Sequence, residues 1–375
     1  MPHRHRVLWL IKGLARGGAE RLVSVMAPRI DRTRFEVEVA YLVPDADAFV
    51  PDVEAAGIRM HCLQARRNVE PRWPASLQRL LRQGRYDIVH SHSPLAGSVA
   101  RLVAPRGTRH FYTEHNMWGV YRWPTFAANA VTYARNERVF AVSGGVAGSV
   151  ARPWWARIGR MPPVEVLLHG VDVHNAPRGA EARAEARARL GISPDIPVIG
   201  NVANFSPKKD QATLLRAFAT VRERIPEALL LLIGMGPLEG QLRQTVRDLG
   251  ATDAVRFLGS RDDVTELLPA LDVFVLSSSH EGLPISLLEA MAAGVACVCT
   301  AVGGIPEALR DGVDGRLVPP ARSDVLAEAL REVMLDAAQR QRLGSNSRSR
   351  VRGEFDLSRA VARLEQQYAT TDRQP

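Results

Sequence analysis

The chain has 375 residues, of which 46% are hydrophobic and 24% are charged. That length accommodates two domains, and the composition is typical of a soluble globular protein. Because no apolar run approaches the roughly 20 residues of a membrane span, the composition disfavours an integral membrane protein.

The formal net charge of +9 predicts an anionic partner. The arginines are scattered through amphipathic segments such as 178–189 and 340–352, without interleaved aromatic residues. This scatter disfavours nucleic acid as the partner. Anionic lipid headgroups and a phosphorylated substrate are both compatible with the charge.

The first apolar segment, Val7 to Ile11, is too short for a signal peptide and predicts a strand. We therefore expect a cytoplasmic protein. Short apolar segments then alternate with helical patterns such as 19–30 and 77–83, which is typical of parallel α/β architecture. The predicted strands of the first half are Val7 to Ile11, Phe35 to Tyr41, Arg59 to Leu63, Asp87 to His90, Arg109 to Thr113, Val139 to Val142 and Val164 to Leu168.

A second series begins after a linker at 175–179, with a helix from Ala180 to Leu190 that ends at Gly191. The two series predict two Rossmann-like parallel-sheet domains facing a central cleft, over residues 1–174 and 175–355. A last helical segment, 356–375, is expected to cross back to the first domain. The predicted strands of the second series are Val198 to Val202, Leu229 to Ile233, Val255 to Leu258, Val273 to Leu276, Val295 to Thr300 and Gly315 to Val318.

A glycine-containing loop follows the first strand and opens a helix. Gly17 and Gly18 would let backbone N–H groups approach an anion at the helix N-terminus. A tight turn without a ligand explains the same glycines. The loop is not a G-x-G-x-x-G motif, and no acidic residue stands where a nicotinamide dinucleotide needs one, so a dehydrogenase is disfavoured.

Two further loops end strands of the second series. Lys208 and Lys209 follow the strand at 198–202, where lysines can meet a diphosphate by charge-assisted hydrogen bonds. A pair of ordinary surface lysines is the alternative. Gly234 and Gly236 end the next strand and could line a nucleotide pocket, although they are turn-forming residues first.

Histidines lie at two predicted strand ends of the first series. His115 can bind a developing anion or a substrate hydroxyl, or it can simply cap its strand through local hydrogen bonds. His90 and His92 share one face of a strand, but without further ligands a zinc site is disfavoured. Cys297 and Cys299 alternate along another strand and are interpreted as buried small side chains.

The segment from Ser277 to Met291 follows the strand at 273–276 and predicts a loop and then a helix. Glu281 lies in the loop, and Glu289 lies one to two turns into the helix. The carboxyl ends of strands are where open α/β sheets bind ligands. Two carboxylates there could hold the hydroxyls of a sugar and a ribose.

These motifs, in this order, resemble those of the retaining glycosyltransferases of the GT-B superfamily, in particular family four. The segment from Glu281 to Glu289 matches the family's E-x7-E signature, and Val302-Gly303-Gly304 and the lysine loop stand in the expected places around it. The resemblance covers nearly the whole chain and is strongest from Val198 to Leu330.

The resemblance implies a role for several residues of the second domain. Lys209 would bind the donor diphosphate and Glu289 the ribose. Glu281 would contact the donor sugar, together with the backbone of Gly282 and Leu283.

Other positions are implied in the same way. Gly17 and Gly18 correspond to the family's glycine loop near the donor phosphate, and His115 to its cleft histidine, which contacts the transferred sugar. Asn204 stands where the family often has an arginine, five residues before the diphosphate lysine. Lys208 would then supply the missing charge.

The resemblance implies sugar transfer from a nucleotide diphosphate sugar (UDP- or GDP-sugar) to an acceptor hydroxyl, with retention at the anomeric carbon. This sugar transfer would serve polysaccharide, lipopolysaccharide or glycolipid synthesis, and its acceptor would be a carbohydrate or a lipid-linked molecule. No metal cofactor is expected, since the one Asp-x-Asp motif considered, 45–47, lies away from the strand ends. The alternatives are another GT-B activity, such as a nucleotide-sugar epimerase or a phosphorylase, and a non-catalytic nucleotide-sugar-binding protein.

Aromatic and basic residues in first-domain loops predict contact with an anionic membrane surface, where a lipid-linked acceptor would arrive. Packing of the same tryptophans against helices is the alternative. The residues are Trp118, Tyr121, Arg122, Trp123, Trp154 and Trp155.

Overall fold

A computed structural model describes residues 4–65, 72–157 and 159–370 of the chain. The chain forms two compact units: the first comprises Met1–His169 and Ser358–Pro375, and the second comprises Gly170–Leu357. Residues 371–375 of the predicted C-terminal segment lie outside the described residues. Within the described residues, no helix is both long enough and apolar enough to cross a bilayer.

In its described part, the first unit contains a seven-stranded parallel sheet of order β3-β2-β1-β4-β5-β6-β7. The residues of β1 from Val7 to Ile11 are at most 1% exposed. Such continuous burial is expected of a strand covered by helices on both faces. The strands are β1 (His5–Ile11), β2 (Phe35–Tyr41), β3 (Arg59–Cys62), β4 (Ile88–Ser91), β5 (Arg109–Glu114), β6 (Arg138–Ala141) and β7 (Val164–Val166).

The helices of the first unit lie between these strands in sequence. The helical pattern predicted from 19 to 30 is interrupted, because Pro28 cannot donate a backbone hydrogen bond and a 3₁₀ turn at Ala27–Arg29 replaces the last turn. The helices are α1 (Gly18–Met26), α2 (Val50–Ala55), α3 (Arg72–Gly84), α4 (Pro94–Val103), α5 (Trp123–Thr132) and α6 (Gly144–Ser149).

The second unit contains a six-stranded parallel sheet in the described residues, of order β10-β9-β8-β11-β12-β13. Its strands lie close to the predicted ranges because most are short apolar runs bounded by turn residues, although β10 and β13 each contain one arginine. They are β8 (Val198–Val202), β9 (Leu229–Ile233), β10 (Val255–Gly259), β11 (Val273–Leu276), β12 (Ala296–Thr300) and β13 (Arg316–Val318).

The helices of the second unit pack their apolar faces on this sheet, and the largest contributions to the core come from α8, α11 and α13. Gly191 ends the first helix in the left-handed conformation, at φ 60°, as the sequence predicts. The helices are α7 (Gly179–Leu190), α8 (Gln211–Arg222), α9 (Glu239–Asp248), α10 (Val264–Leu267), α11 (Ile285–Ala292), α12 (Ile305–Ala308), α13 (Ser323–Leu335) and α14 (Ala337–Glu354).

The last helix, α15 (Leu357–Ala369), packs on the sheet of the first unit. Tyr368 is fully buried there, and its hydroxyl accepts a hydrogen bond from Trp9 Nε1 over 3.1 Å. Its backbone carbonyl accepts a bond from Arg109 over 2.9 Å. The C-terminal helix is therefore part of the first unit's core.

Each sheet has one position at which the strand order reverses. This switch point lies between β1 and β4 in the first unit and between β8 and β11 in the second. Ligands of open α/β sheets bind at the carboxyl ends of the strands beside such a point. In the second unit these ends lead into the loops 203–210 and 277–284.

Candidate functional site

The switch point of the second unit brings together a lysine and a glutamate that lie 72 residues apart in sequence. Lys209 Nζ donates to Glu281 Oε1 over 2.5 Å, and Ser278 Oγ donates to the same oxygen over 2.7 Å. The Lys209 side chain is 14% exposed and that of Glu281 is 5% exposed. The ammonium and the carboxylate therefore form a largely buried pair at the end of two adjacent strands.

Serines join the two loops that carry this pair. Ser277 Oγ donates to the backbone carbonyls of Lys209 and Asp210, each over 3.0 Å. The backbone N–H of Ser279 donates to the carbonyl of Lys208 over 2.8 Å. The sequence signal for this arrangement is three consecutive serines, 277–279, directly after a strand.

A glycine turn after β12 supports the loop of Glu281. Gly303 has φ 55°, and a Cβ atom added there would lie 1.8 Å from the backbone oxygen of Glu281. The next N–H, that of Gly304, donates to the carbonyl of Gly282 over 2.6 Å. Only glycine allows the two backbones to come this close, so the turn at Gly303 fixes the position of the loop that carries Glu281.

Gly234 and Gly236 are required by packing against the preceding loop. Cβ atoms added at these positions would lie 2.2 Å from Ala203 O and 2.4 Å from Phe205 O. These contacts explain both glycines as turn residues, and a contact with the donor stays a prediction. Asn204, between the two contacted residues, is exposed and accepts a bond at its carbonyl from Gln211 Nε2 over 3.1 Å.

The remaining predicted residues of the second unit lie on the same two loops and on the helix that follows. Lys208 is exposed, and Gly282 is half-buried. Leu283 is 6% exposed, so its side chain is buried, and a contact of its backbone with the donor stays a prediction. Glu289 lies on α11, as predicted, and is half-buried there.

The predicted glycine loop of the first unit begins α1. Gly17 is the N-cap, and a Cβ atom added there would meet the Glu20 carboxylate at 2.3 Å. A Cβ atom added at Gly18 would meet no described heavy atom within 4 Å. The Glu20 carboxylate thus lies over the helix end at which the sequence predicts a phosphate, and an arriving anion would have to displace it.

His115 follows β5 and contacts a second histidine from β4. His92 Nδ1 lies 3.2 Å from His115 Nε2, and the two rings are 5.4 Å apart. Burial, and then the neighbouring imidazoles, hold the pKa of His115 well below its usual range. Burial also lowers the pKa of His92. Both rings are therefore neutral near pH 7.

Glu114, the residue before His115, is fully buried. Its carboxylate accepts bonds from Trp118 Nε1 and Tyr121 OH, each over 2.6 Å, and longer bonds from Tyr112 and Asn129. Burial raises the pKa of Glu114, and these donors oppose the rise. The carboxylate organises the loop that carries His115.

Burial divides the tryptophans that were predicted to face a membrane into two groups. Trp118 is 3% exposed, so the alternative of packing in the interior applies to it and the membrane prediction is wrong for its side chain. Trp123 and Trp154, by contrast, are 72% and 81% exposed. The sequence does not distinguish buried Trp118 from the exposed tryptophans, because the burial of Trp118 depends on its hydrogen bond to Glu114 on β5.

Cys297 and Cys299 are buried on β12, as predicted. Among residues 4–65, 72–157 and 159–370, no group of three or more His, Cys, Asp and Glu side chains is arranged to hold a metal ion.

Two family models match successive parts of the chain. The model described as Glycosyltransferase Family 4 matches residues 16–175, and the model described as Glycosyl transferases group 1 matches residues 182–350. The second match contains the Lys209–Glu281 pair.

Curated relatives and solved structures resemble the chain over most of its length. It is 32% identical to a D-inositol 3-phosphate glycosyltransferase of Actinosynnema mirum over 75% of this chain and 72% of the relative. It is 27% identical to the putative glycosyltransferase EpsF of Bacillus subtilis over 83% and 82% of the two chains.

The fold is similar to that of Anabaena Alr3699/HepE in complex with UDP and glucose, with a TM-score of 0.85 and 23% identity over 98% of this chain and 100% of that one. A sucrose-phosphate synthase from Thermosynechococcus elongatus gives a TM-score of 0.80 and 21% identity, over 98% and 99%. These likenesses confirm the GT-B fold class, and the family matches and the Actinosynnema relative show that the chain belongs to the group 1, family four glycosyltransferases.

Proposed function

We propose that this glycosyltransferase moves a sugar from a nucleotide diphosphate sugar to an acceptor hydroxyl with retention at the anomeric carbon. The observation that carries the proposal is the Lys209–Glu281 pair at the switch point of the second sheet. A cation suited to a diphosphate and a carboxylate suited to sugar hydroxyls are held there side by side. The structural neighbour that was solved with UDP and glucose supports a UDP-sugar donor.

Each residue has a distinct task in this proposal. Lys209 stabilises the negative charge that develops on the leaving diphosphate. Glu281 orients the donor sugar, together with the backbone of Gly282 and Leu283, and Glu289 binds the ribose. Since Lys209 already pairs with Glu281, donor binding inserts a second anion beside an existing ion pair.

We propose further that transfer needs no metal cofactor, with Lys209 neutralising the charge on the diphosphate and Lys208 assisting it where Asn204 lacks a charge. His115, on the first unit, contacts the transferred sugar. The acceptor is a carbohydrate or a lipid-linked saccharide of polysaccharide, lipopolysaccharide or glycolipid synthesis. A relative in Rhizobium meliloti that is named for lipopolysaccharide core biosynthesis supports this range of acceptors.

The first experiment is a thermal-shift screen of UDP- and GDP-sugars, because a specific donor raises the melting temperature once its concentration exceeds its Kd. The selected donor is then used to measure release of the nucleoside diphosphate, with and without EDTA. Lys209→Ala and Glu281→Ala are expected to abolish transfer. The matched controls are Arg331→Ala and Glu328→Ala, which remove the same charges from an exposed pair on α13.

Turnover like that of the wild type in Lys209→Ala or Glu281→Ala contradicts the assignment of that residue. Release of an epimerised sugar from the donor alone identifies an epimerase instead. Donor binding without transfer or hydrolysis identifies a non-catalytic binding protein. Loss of activity in EDTA contradicts metal independence.

We also propose that the first unit contacts an anionic membrane through an aromatic surface, defined by Trp123, Trp154 and Trp155. All three are exposed, and the ring of Trp155 lies 6.3 Å from that of Phe126, one turn along α5 from Trp123. Exposed arginines, Arg122 and Arg157, flank these tryptophans in sequence. Tryptophan and arginine together suit the boundary between anionic headgroups and acyl chains.

Vesicle flotation tests the aromatic surface. The wild type is expected to bind vesicles that contain an anionic phospholipid at low salt, and to bind less at high salt. Trp123→Ser combined with Trp154→Ser should lose this binding. Leu335→Ser, which removes a 65%-exposed apolar side chain from the second unit, should retain it. Absence of wild-type binding, or equal binding by the tryptophan variant, contradicts the proposal.

A further inference from the structure

Three imidazoles lie together at the carboxyl edge of the first sheet, next to its switch point. His90 and His92 come from the end of β4, and their ring centroids are 4.3 Å apart with the planes at 33°. His115 follows β5 and meets His92 through ring nitrogens 3.2 Å apart. His90 and His92 are buried, and His115 is half-buried.

The tautomer of His90 follows from its partners. Trp9 Nε1 can only donate, so the Tyr368 hydroxyl accepts that bond and gives its own proton to His90 Nδ1. His90 is neutral, because burial lowers its pKa to about 3. Its single proton is therefore on Nε2, which donates to Thr113 Oγ1 over 2.7 Å.

The tautomer of His92 follows from the lack of a hydrogen-bond partner at its Nε2 atom among the described residues. His92 is 6% exposed, and its Nε2 has no hydrogen-bond partner among the described residues. A buried N–H without an acceptor costs more than a buried lone pair without a donor, and native structures rarely contain the former. The proton of His92 therefore lies on Nδ1 and is donated to His115 Nε2.

We propose that His92 is a positioning residue, which holds His115 in the Nδ1–H tautomer and fixes the orientation of its ring. With Nε2 occupied as an acceptor, the Nδ1–H group is the one ring N–H that neutral His115 can offer to a ligand. That group suits an acceptor oxygen on a sugar or a phosphate. The step to catalysis rests on the proposed function, whereas the assignment of the tautomer does not.

His90 holds the His92 ring in place by packing against it. Its two hydrogen bonds fix the plane of its ring, and the His92 ring packs against that plane and against the indole of Trp9, whose centroid is 5.2 Å away. The order of dependence therefore runs from Tyr368 on α15 through His90 and His92 to His115. Only the last of these is a candidate for contact with substrate.

Two substitutions at position 92 distinguish the loss of the hydrogen-bond donor from the loss of side-chain packing. His92→Leu fills most of the space without a donor, whereas His92→Asn can place an amide N–H near the position of Nδ1. NMR of protein with ¹⁵N-labelled histidine rings reports the protonation of each nitrogen, and His115→Asn assigns the His115 signals. In the wild type we expect His115 to be protonated at Nδ1; in His92→Leu we expect a mixture of tautomers; in His92→Asn we expect the wild-type pattern.

Steady-state kinetics with the donor found in the thermal-shift screen give the second measurement. His92→Leu should lower kcat about 3- to 10-fold with little change in KM, which corresponds to one ordinary hydrogen bond, and His92→Asn should restore most of the loss. Denaturant unfolding of both variants shows whether either effect is a loss of fold. A His115 tautomer that is unchanged in His92→Leu overturns the proposal, as does equal impairment of the two variants. If the wild type transfers no sugar, the proposed function fails, and the NMR result still decides the tautomer.

Discussion

The burial of the Lys209–Glu281 pair predicts a specific loss of stability. Replacing Lys209 with Met keeps the length of the side chain but leaves the Glu281 carboxylate 5% exposed and without its cation. Removing one partner of a buried pair costs about 3–5 kcal/mol. Ser278 still donates to Glu281 in this variant, so we expect the lower end, about 3 kcal/mol.

A double substitution tests whether the loss of stability comes from the unpaired carboxylate itself. If the cost of Lys209→Met comes from the unpaired carboxylate, adding Glu281→Leu should recover part of the stability, because an apolar pair can replace an ion pair of similar volume. The exposed Arg331–Glu328 pair is the comparison. Its closest contact is 2.6 Å, against 2.5 Å for the buried pair, but its side chains are 37% and 53% exposed, so its double-mutant cycle should give little coupling.

Urea unfolding followed by circular dichroism measures these differences. Tryptophan fluorescence adds a control, because all six tryptophans lie before residue 156 and so in the first unit. A variant of the second unit should therefore leave the environment of the native-state tryptophans unchanged. Strictly additive single substitutions, or equal coupling in the buried and exposed pairs, would refute the argument from burial.

Three further outcomes follow from the packing. Gly303→Ala should lower the melting temperature more than Gly312→Ala does, as measured by differential scanning calorimetry. Both glycines have positive φ, but only a Cβ atom at position 303 would lie 1.8 Å from a backbone oxygen. Glu114→Gln should cost about 1–3 kcal/mol in urea unfolding, since a buried acceptor becomes partly a donor facing other donors. A hydrogen bond with His61 and further contacts lower the pKa of Glu38 to about 2. Its contribution is therefore present above its ordinary pKa of 4.5 and lost as pH falls towards 2, and Glu38→Gln should flatten stability against pH in that window.

The strands could be predicted from sequence because their signal is local. Val273 to Leu276 is a continuous apolar run bounded by turn residues, and it forms β11 over the predicted range. The end of α1 was predicted less well, because the pattern of apolar residues continues past Pro28 although the helical hydrogen bonds do not.

The site was less predictable, because its contacts join residues far apart in sequence. The motif placed Lys209 and Glu281 at neighbouring strand ends, but their 2.5 Å contact depends on the way in which Ser277 and Ser279 join the two loops. Trp118 was mispredicted for a different reason: it bonds to Glu114, only four residues earlier at the end of β5, and apolar periodicity carries no information about such a hydrogen bond.

The burial of Tyr368 has a consequence for biosynthesis. Its hydroxyl bonds to Trp9, which is synthesised 359 residues earlier, and its ring fills the core of the first unit. Ribosomes add about 5–20 residues per second, so the N-terminal sheet emerges and waits many seconds for the side chain that completes its interior. During that interval the surface that α15 will cover is exposed, and a nascent chain that stops before residue 357 leaves it exposed permanently.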